Sequence, residues 1–332
     1  MPYFSLIIPV YNRPQEVGEL LESLAEQTEQ DFEVIIVEDG SSVKCEEVVK
    51  SFAATLDVKY FYKPNSGRSQ TRNYGMERAT GKYLVFFDSD CIIPPAYFSR
   101  VKACLNEKYV DCYGGPDAAH ASFSNLQKAI NYSMTSFFTT GGIRGGKRGL
   151  EKFVPRTFNM GFSKEVFETV GGFKDMFGED IDLSTRIADA GFTTALFQET
   201  FVYHKRRVSL KSFYRQVYVF GMARVDLYRL HPRSLKLVHC FPAAFVVGVI
   251  AMILVSFFWI WAILPLLVYV VAIFTGALVK TKSLPVACLA VVAAFVQLFG
   301  YGNGFLNAFI RKIILKRRVN KEEELEKHYK KK

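Results

Sequence analysis

The chain has 332 residues, of which 50% are hydrophobic, and it carries 42 basic against 32 acidic side chains. The hydrophobic fraction is high for a soluble protein, and its excess is local, because residues 237–310 contain only two charges, Lys280 and Lys282. Residues 1–204 hold 21 basic and 27 acidic side chains. This acidic balance excludes the usual nucleic-acid-binding pattern, in which basic side chains cover the folded domain itself.

Positive charge flanks the apolar region on both sides. Residues 205–236 hold nine basic side chains and one acidic side chain, and residues 311–332 hold ten and four. Positive segments beside membrane helices stay on the cytoplasmic side, where anionic lipids attract them. The strand-like start of the chain leaves no room for a secretion signal, and six cysteines without a CxxC pair favour reduced thiols. The pattern predicts a membrane-held protein with an anionic membrane as partner and its acidic region in the cytoplasm.

Strand and helix patterns alternate at the start of the chain. β-Branched runs at 4–10, 32–37 and 58–62 predict buried strands, and apolar residues at helical spacing over 16–27 and 45–54 predict the helices between them. Strand, helix and strand with short connections form the right-handed unit of a parallel sheet. The predicted fold class is α/β, a Rossmann-like and mostly parallel sheet flanked by helices. A dehydrogenase is disfavoured because no Gly-x-Gly-x-x-Gly follows the first strand.

Carboxylates follow two of the predicted strands. Asp88 and Asp90 lie at the mouth of the apolar run Leu84–Phe87, where desolvation is costly unless a positive group lies beside them. A hard divalent cation that also holds a phosphate is one explanation, and a capped turn is the other. Asp39 ends the second strand, where it either accepts hydrogen bonds from a nucleoside or forms an ordinary Asp-Gly-Ser turn.

Two further segments carry polar residues at predicted helix starts. Gly67 opens a helix whose first N–H groups, together with Arg68 or Arg72, could face an anion, although a solvated helix start explains the same residues. Three acids crowd the start of a later helix, namely Glu179, Asp180 and Asp182. Helix capping and the helix dipole account for one or two of these acids, but not well for all three.

Four segments resemble, in order and spacing, those of family 2 glycosyltransferases with the GT-A fold, of the bacterial membrane-anchored type. They are LIIPVYN at 6–12, VEDGS at 37–41, GRSQTRNYG at 67–75 and YLVFFDSD at 83–90. The Asn-Met-Gly-Phe, Gly-Gly-Phe and Gly-Glu-Asp series extends the resemblance over about residues 4–204. Glu38 stands where the family often has Asp, and this change leaves the neighbouring Asp39 in place.

The resemblance implies a nucleotide-sugar site with Mn²⁺ or Mg²⁺. Seven residues would line the donor site: Pro9, Tyr11, Asp39, Gly67, Arg72, Asp88 and Asn159. Pro9 and Tyr11 would lie near the base, and Asp39 would contact uracil or ribose. Asp88 and Asp90 would hold the metal against the diphosphate. His204 would be either a third metal ligand or a packed histidine.

The resemblance also implies a mechanism. In inverting members the Asp of the Glu-Asp pair is the general base, which assigns that role to Asp180 and the positioning of the acceptor to Glu179. A carboxylate removes the proton of the acceptor hydroxyl as the glycosidic bond forms, and the metal offsets charge on the departing diphosphate. One displacement inverts the anomeric centre.

The predicted function is non-processive, metal-dependent transfer of a hexosyl or N-acetylhexosaminyl group in cell-envelope polysaccharide or glycolipid synthesis. The donor would be a nucleotide sugar, with a UDP-sugar as the first choice, and the acceptor would be lipid-linked or a glycan. One alternative is a processive polysaccharide synthase, although the chain lacks a Gln-x-x-Arg-Trp motif. The other is a non-catalytic nucleotide-sugar-binding membrane protein, although all the expected carboxylates are present.

The last third of the chain predicts membrane helices. Residues 209–230 place apolar side chains on one stripe and basic ones elsewhere, which is typical of a helix at a membrane interface. The uncharged run 241–279 is about twice the ~20 residues that span a bilayer, with Trp259 and Trp261 at a turn near its middle. A third segment, 284–310, is rich in glycine and asparagine, and the positive-inside rule favours two spans plus a re-entrant or interfacial segment.

Four regions follow from these patterns, in a protein of the bacterial inner membrane. They are a GT-A catalytic domain at 1–208, an amphipathic interfacial region at 209–236, transmembrane helices at 237–310 and a basic cytoplasmic tail at 311–332.

Overall fold

The computed structural model describes residues 1–120, 122–141 and 153–316, which form two compact units. The α/β unit comprises residues 1–120 and 153–205, and the helical unit comprises residues 122–141 and 206–316. Residues 122–141 therefore group with the C-terminal helices, whereas the sequence prediction included them in the first domain. Residues 317–332 of the predicted basic tail lie outside the described residues.

A seven-stranded sheet forms the centre of the α/β unit. Its strands are β1 Phe4–Val10, β2 Phe32–Asp39, β3 Val58–Lys63, β4 Tyr83–Phe86, β6 Cys112–Gly114, β8 Met160–Ser163 and β9 Thr194–Leu196. They run in the order β3-β2-β1-β4-β8-β6-β9, and all neighbours are parallel except β8, which is antiparallel to β4 and β6. The mostly parallel α/β fold predicted from the sequence is confirmed.

Helices cover both faces of this sheet. They are α1 Pro14–Ala25, α2 Glu46–Ser51, α3 Arg68–Met76, α4 Tyr97–Glu107, α7 Lys164–Val170 and α8 Glu179–Asp189. Leu6 and Ile8 of β1 point into one buried cluster, and Ile7 points into the other. Because both faces are covered, the parallel strands are almost continuously apolar rather than alternating.

A second, three-stranded sheet carries the residues that follow β4. Its strands are β5 Cys91–Ile92, β7 Asp117–Ala118 and β10 Val202–His204. β10 lies between the other two and pairs with β5 in an antiparallel register that sets His204 opposite Cys91. The end of the α/β unit is thereby attached directly beside the Asp-x-Asp segment.

The helical unit contains three helices long and apolar enough to cross a membrane, at Leu237–Ser256, Ile260–Thr281 and Leu284–Ile314. Its α-helices are α5 Asn125–Thr135, α6 Phe137–Thr140, α9 Leu210–Leu230, α10 Leu237–Ser256, α11 Leu264–Thr281 and α12 Leu284–Phe309. The break between α10 and α11 contains Trp259 and Trp261, which are both more than 60% exposed. The turn predicted there from the tryptophans is present.

Glycines of α12 allow α9 to approach it closely. A Cβ added to Gly304 would lie 2.0 Å from the backbone oxygen of Tyr218, and one added to Gly221 of α9 would lie 2.1 Å from that of Tyr301. Asn303 donates to the hydroxyl of Tyr214 at 3.1 Å along the same contact. The glycines of the segment 284–310 therefore permit close helix packing, and α12 is continuous.

Both ends of α12 lie at the same end of the α10 and α11 pair. Its first residue follows α11 after a two-residue turn beside Lys282. Its middle contacts both helices, with the ring of Phe295 5.8 Å from Phe245 and 6.0 Å from Tyr269. Its second half then lies against the beginning of α10, where a Cβ on Gly302 would meet the backbone oxygen of Pro242 at 2.4 Å.

Candidate active site

The carboxyl ends of three adjacent parallel strands meet at one edge of the large sheet. β1 lies between β2 and β4 and runs parallel to both. Pro9 lies near the end of β1 and is partly buried, and Tyr11 just beyond it is 54% exposed. Asp39 ends β2, and Asp88 follows β4. Ligands of open α/β sheets bind outside the carboxyl ends of the strands, so this edge is the candidate site.

Asp88, Asp90 and His204 converge beyond the end of β4. Nε2 of His204 lies 3.2 Å from Oδ1 of Asp90 and 3.7 Å from Oδ2 of Asp88. The register of β10 against β5 positions the histidine, and its imidazole stacks on the ring of Phe158 with centroids 5.0 Å apart. The fold therefore brings together all three residues that the sequence proposed as metal ligands.

Two arginines hold the remaining oxygens of the acidic pair. NH1 of Arg13 donates to Oδ2 of Asp90 at 2.6 Å, and NH2 of Arg72 donates to Oδ1 of Asp88 at 2.8 Å. The other oxygen of each acid, which we call its inner oxygen, is the one near His204. Burial alone would raise the pKa of Asp90, but His204 and Arg13 outweigh burial and hold this pKa well below its usual range.

The inner oxygens and the imidazole have the chemistry of divalent-cation ligands, although Asp88 is not part of the set with ligand atoms within 4.8 Å of one another, which is Asp90, Cys91 and His204. Oδ1 of Asp90 is buried and accepts no hydrogen bond from any described residue, and Nδ1 of His204 is likewise buried without a described partner. The ion-pair contact of Oδ1 of Asp90 with Nε2 of His204 at 3.2 Å requires a protonated imidazole, whereas a cation at this position would satisfy both the oxygen and a neutral imidazole. Two carboxylate oxygens and one imidazole nitrogen form a donor set suited to Mn²⁺ or a similar ion.

Cys91 is a poorer metal ligand than Asp88. Potential ligand atoms of Asp90, Cys91 and His204 do lie within 4.8 Å of one another. Burial and the neighbouring acids raise the pKa of the Cys91 thiol well above its usual value, and Mg²⁺ and Mn²⁺ prefer carboxylate oxygen to sulfur. Its Sγ also lies 3.7 Å from the backbone oxygen of Phe158, to which it donates.

Arg72 connects the acidic pair to the start of α8. Its NH1 donates to Oε1 of Glu179 at 3.1 Å while its NH2 holds Asp88. Nε of Arg68 lies 2.8 Å from the same oxygen of Glu179. Glu179 is only 3% exposed and is engaged by both guanidinium groups. The segments around residues 88 and 179 therefore belong to one site.

Asp180 and Asp182 occupy the first turn of α8 but have different surroundings. Asp182 is fully buried and pairs with Arg186 at 2.9 Å and with Lys174 at 3.3 Å. The side chain of Asp180 is 18% exposed, and NH1 of Arg156 lies 3.5 Å from its Oδ2. Asp182 thus has a structural ion pair, and Asp180 is the acid that a ligand can reach.

Asp39 joins the end of β2 to the start of α3. Its carboxylate accepts hydrogen bonds from the N–H groups of Ser66 and Gly67, each at 2.9 Å, and from the ammonium group of Lys63. Gly67 has a φ of +88°, a conformation that favours glycine. The predicted Asp39 and Gly67 are therefore direct neighbours, and Asp39 helps to shape the loop that precedes Arg68.

Asn159 has a different environment from the predicted donor site. Its side chain is fully buried, with Oδ1 accepting from the hydroxyl of Tyr97 at 2.6 Å. Its Nδ2 donates to the backbone oxygens of Thr200 at 2.7 Å and Pro116 at 3.3 Å. Because both ends of this buried amide are hydrogen-bonded within the α/β unit, Asn159 holds three chain segments together.

Arg13 and Asn12 belong to this edge although the sequence analysis did not assign them a role. Arg13 contacts Asp90 directly, as described above. Oδ1 of Asn12 accepts from the N–H groups of Ser42 at 2.8 Å and Val43 at 3.0 Å, which attaches the turn after β1 to the turn after β2. Their signal in the sequence is position alone, because they follow Tyr11 in the turn that closes the first strand.

Residues 5–171, half of the chain, match the family described as Glycosyl transferase family 2. The chain belongs to this family. Glycosyltransferase AglE of Haloferax volcanii is 26% identical over 259 residues, covering 71% of this chain and 80% of the relative. An uncharacterized glycosyltransferase of Rickettsia bellii is 42% identical over 86 residues, which cover 26% of this chain and only 12% of that relative's length.

A solved structure shares the fold. The mannosyltransferase PcManGT from Pyrobaculum calidifontis, in complex with GDP-Man and Mn²⁺, matches 96% of this chain and 88% of its own chain with a TM-score of 0.60. The sequence identity is 17%, so the likeness establishes the GT-A fold and not the substrate. The fold predicted from the sequence is confirmed, and enzymes of this fold often use divalent metals.

Proposed function

We propose that this protein is an inverting, non-processive glycosyltransferase that moves a sugar from a nucleotide-sugar donor to a lipid-linked or glycan acceptor at a membrane. The observation that carries the proposal is the position of Arg72, whose guanidinium contacts both Asp88 and Glu179. The Arg72 side chain thus links an acid proposed to hold the donor's metal with Glu179, the direct neighbour of the proposed base Asp180. Family membership supports the reaction class.

The donor side uses the edge formed by β1, β2 and β4. Tyr11 offers an exposed ring for a base, and Asp39 and Gly67 shape the adjoining loop. Asp88 and Asp90, with His204, would hold Mn²⁺ or Mg²⁺, which supplies positive charge to the diphosphate as it departs. We propose a UDP-sugar as the first donor to test, with a GDP-sugar as the alternative because PcManGT is in complex with GDP-Man.

The acceptor side uses Asp180 as general base. A hydroxyl is a poor nucleophile at neutral pH, and a carboxylate within hydrogen-bond reach takes its proton as the new glycosidic bond forms. Glu179 is occupied by Arg68 and Arg72, so its role is to fix these arginines and the start of α8 rather than to accept the proton. One displacement on the sugar inverts its configuration.

The helical unit attaches the enzyme to a membrane, with α10 and α11 as the two crossing helices. The basic residues before α10 and after α11 lie at the cytoplasmic side of this pair. Both ends of α12 lie at that same end of the pair, which supports an interfacial position for α12 rather than a third crossing. The proposed location is the inner membrane of a bacterium, with the α/β unit in the cytoplasm.

A ligand screen on the full chain in detergent tests this proposal. Thermal unfolding is measured with UDP-sugars and GDP-sugars, each with Mn²⁺, with Mg²⁺ and with EDTA. A ligand at 100 times its Kd stabilises the folded state by about 2.7 kcal/mol, so a true donor should raise the unfolding temperature only when a metal is present. Stabilisation by no donor, or equal stabilisation with EDTA, would contradict a metal-dependent nucleotide-sugar site.

A further inference from the structure

Arg13 lies between two parts of the proposed donor site, the base position near Tyr11 and the acidic pair Asp88 and Asp90. It follows β1 directly, whereas its partner Asp90 follows β4, and the two side chains meet at 2.6 Å. The side chain of Arg13 is 33% exposed although its NH1 donates to Asp90. The side chain of Arg72, by contrast, is only 4% exposed.

The turn at Asn12 directs Arg13 towards the acidic pair. Asn12 has a φ of +53°, in the left-handed region that asparagine tolerates better than most residues. Its N–H donates to Oγ of Ser41 at 2.8 Å, and its Oδ1 accepts from Ser42 and Val43. The turn is therefore held by the loop after β2, which adjoins the proposed nucleoside position, and it fixes the direction in which Arg13 leaves the backbone.

The charges around Asp90 make Arg13 a competitor of the proposed metal. Arg13 holds Oδ2 of Asp90, and the cation would use the inner oxygen of the same carboxylate. Two positive groups on one carboxylate repel each other, and each draws on the same negative charge. A nucleoside diphosphate brought beside them supplies new negative charge that the partly exposed Arg13 can bind in a bidentate manner.

We infer that Arg13 is a positioning residue that exchanges partners during donor binding: it pairs with Asp90 in the empty enzyme and with a donor phosphate once metal and nucleotide are bound. This inference rests on the proposed function, because it needs the metal and the diphosphate in one site. In the empty enzyme Arg13 weakens metal binding, and in the loaded enzyme it strengthens nucleotide binding. Metal and nucleotide therefore bind cooperatively, and Arg13 carries part of that coupling.

The exchange of partners predicts that substitution of Arg13 changes the affinities for metal and nucleotide in opposite directions. Arg13→Gln should bind Mn²⁺ several-fold to about tenfold more tightly than the wild type in the absence of nucleotide, because a nearby positive charge is removed. The same variant should bind UDP about tenfold more weakly at saturating Mn²⁺, because a charge-assisted contact is lost. Arg13→Lys keeps the charge, so its Mn²⁺ affinity should stay near the wild-type value while UDP binding recovers in part.

The experiment uses the full chain in detergent. Mn²⁺ binding is titrated by electron paramagnetic resonance without nucleotide, and binding of UDP, with GDP as a parallel probe, is measured by calorimetry at saturating Mn²⁺. Arg78→Gln is the matched control, because Arg78 is 34% exposed in its side chain and pairs with Glu77, away from the acidic pair. This control should change neither affinity, and thermal unfolding of every variant reports whether it is folded.

The possible results separate this inference from the function on which it rests. Weaker Mn²⁺ binding in Arg13→Gln would mean that Arg13 only supports Asp90, and it would overturn the exchange. Unchanged nucleotide affinity would overturn it as well, because no phosphate contact would exist. If the wild type itself binds neither Mn²⁺ nor nucleotide, the proposed function fails first and the role of Arg13 fails with it.

Discussion

Asp180 is the residue whose substitution separates donor binding from sugar transfer. Replacing it by asparagine removes the proposed base while keeping the size of the side chain. We expect Asp180→Asn to lower kcat by about 10²- to 10⁴-fold, the usual range for loss of a general base, with nucleotide affinity unchanged. Transfer is measured by release of the nucleoside diphosphate in the presence of acceptor, and nucleotide affinity by calorimetry.

A matched control lies on the same helix. Asp189 is exposed near the end of α8, so Asp189→Asn should leave both kcat and affinity at wild-type values. An Asp180→Asn variant that retains full transfer activity would rule out a carboxylate base at this position. It would favour an acceptor phosphate, which needs no base because it is already ionised.

Substitution of His204 tests whether its imidazole binds the metal or only packs on Phe158. We expect His204→Ala to weaken Mn²⁺ binding at least about tenfold. Loss of a residue that only hydrogen-bonds to a metal ligand typically lowers metal affinity about 10–100-fold, and loss of a direct ligand should cost no less. The measurement is an electron paramagnetic resonance titration without nucleotide. His120→Ala serves as the control, because the ring of His120 packs on that of Tyr203.

An unchanged Mn²⁺ affinity in His204→Ala would support the other alternative from the sequence, a histidine packed for structural reasons. The geometry instead favours weaker Mn²⁺ binding in His204→Ala. Nε2 of His204 lies within 3.7 Å of an oxygen of both acids, whereas stacking on Phe158 alone would not require this direction.

At the scale of helices, the contact between α9 and α12 depends on glycines. Gly304→Ala should destabilise the helical unit by about 1–3 kcal/mol, because the added Cβ meets the backbone of Tyr218 and backbone cannot move as a side chain does. Thermal unfolding followed by tryptophan fluorescence measures this, since both tryptophans, Trp259 and Trp261, belong to the helical unit.

Gly248 of α10 provides the matched control for this substitution. A Cβ at Gly248 meets nothing within 4 Å, so Gly248→Ala should be neutral or stabilising by about 0.5–1 kcal/mol, as expected for Gly to Ala inside a helix. If both alanine variants unfold at the wild-type temperature, the close approach of α9 to α12 would be contradicted.

At the scale of the whole molecule, charge and hydrophobicity divide the chain into an acidic part and a part with three candidate membrane helices. The acidic residues dominate 1–204, and the basic residues lie on either side of the apolar helices. Exposed apolar side chains concentrate in the helical unit, including Phe257 at 80% and Phe258 at 95% between α10 and α11. Such a surface is stable only against lipid or another apolar partner.

The path of α12 predicts the side of the membrane on which the chain ends. Because both ends of α12 lie at the basic end of α10 and α11, a reporter fused after Lys332 should remain in the cytoplasm of a bacterial host. Green fluorescent protein fused there should fluoresce, and alkaline phosphatase fused there should be inactive. The control is phosphatase inserted between Phe258 and Trp259, which should be active outside. Active phosphatase after Lys332 would mean that α12 crosses the membrane.

The local pattern of residues was sufficient to predict the elements that form the site. The apolar runs before Asp39 and Asp88 predict buried strands because parallel strands covered on both faces have few other compositions. Because the carboxyl ends of parallel strands meet at one edge of the sheet, residues that follow such strands lie at that edge. In the same way, a long uncharged run predicts membrane helices because backbone groups in lipid need helical hydrogen bonds.

The sequence by itself determined the α/β fold class, the acids at the strand ends and the apolar helices, since each depends on neighbours close in the chain. Only the tertiary structure decided which side chains meet across distant segments. It assigned Asp182 and Asn159 to internal contacts, left Asp180 partly exposed beside Arg156, joined Arg13 to Asp90, and used the glycines of α12 for close packing. These outcomes depend on strand register and on the closeness of backbones, which no run of neighbouring residues encodes.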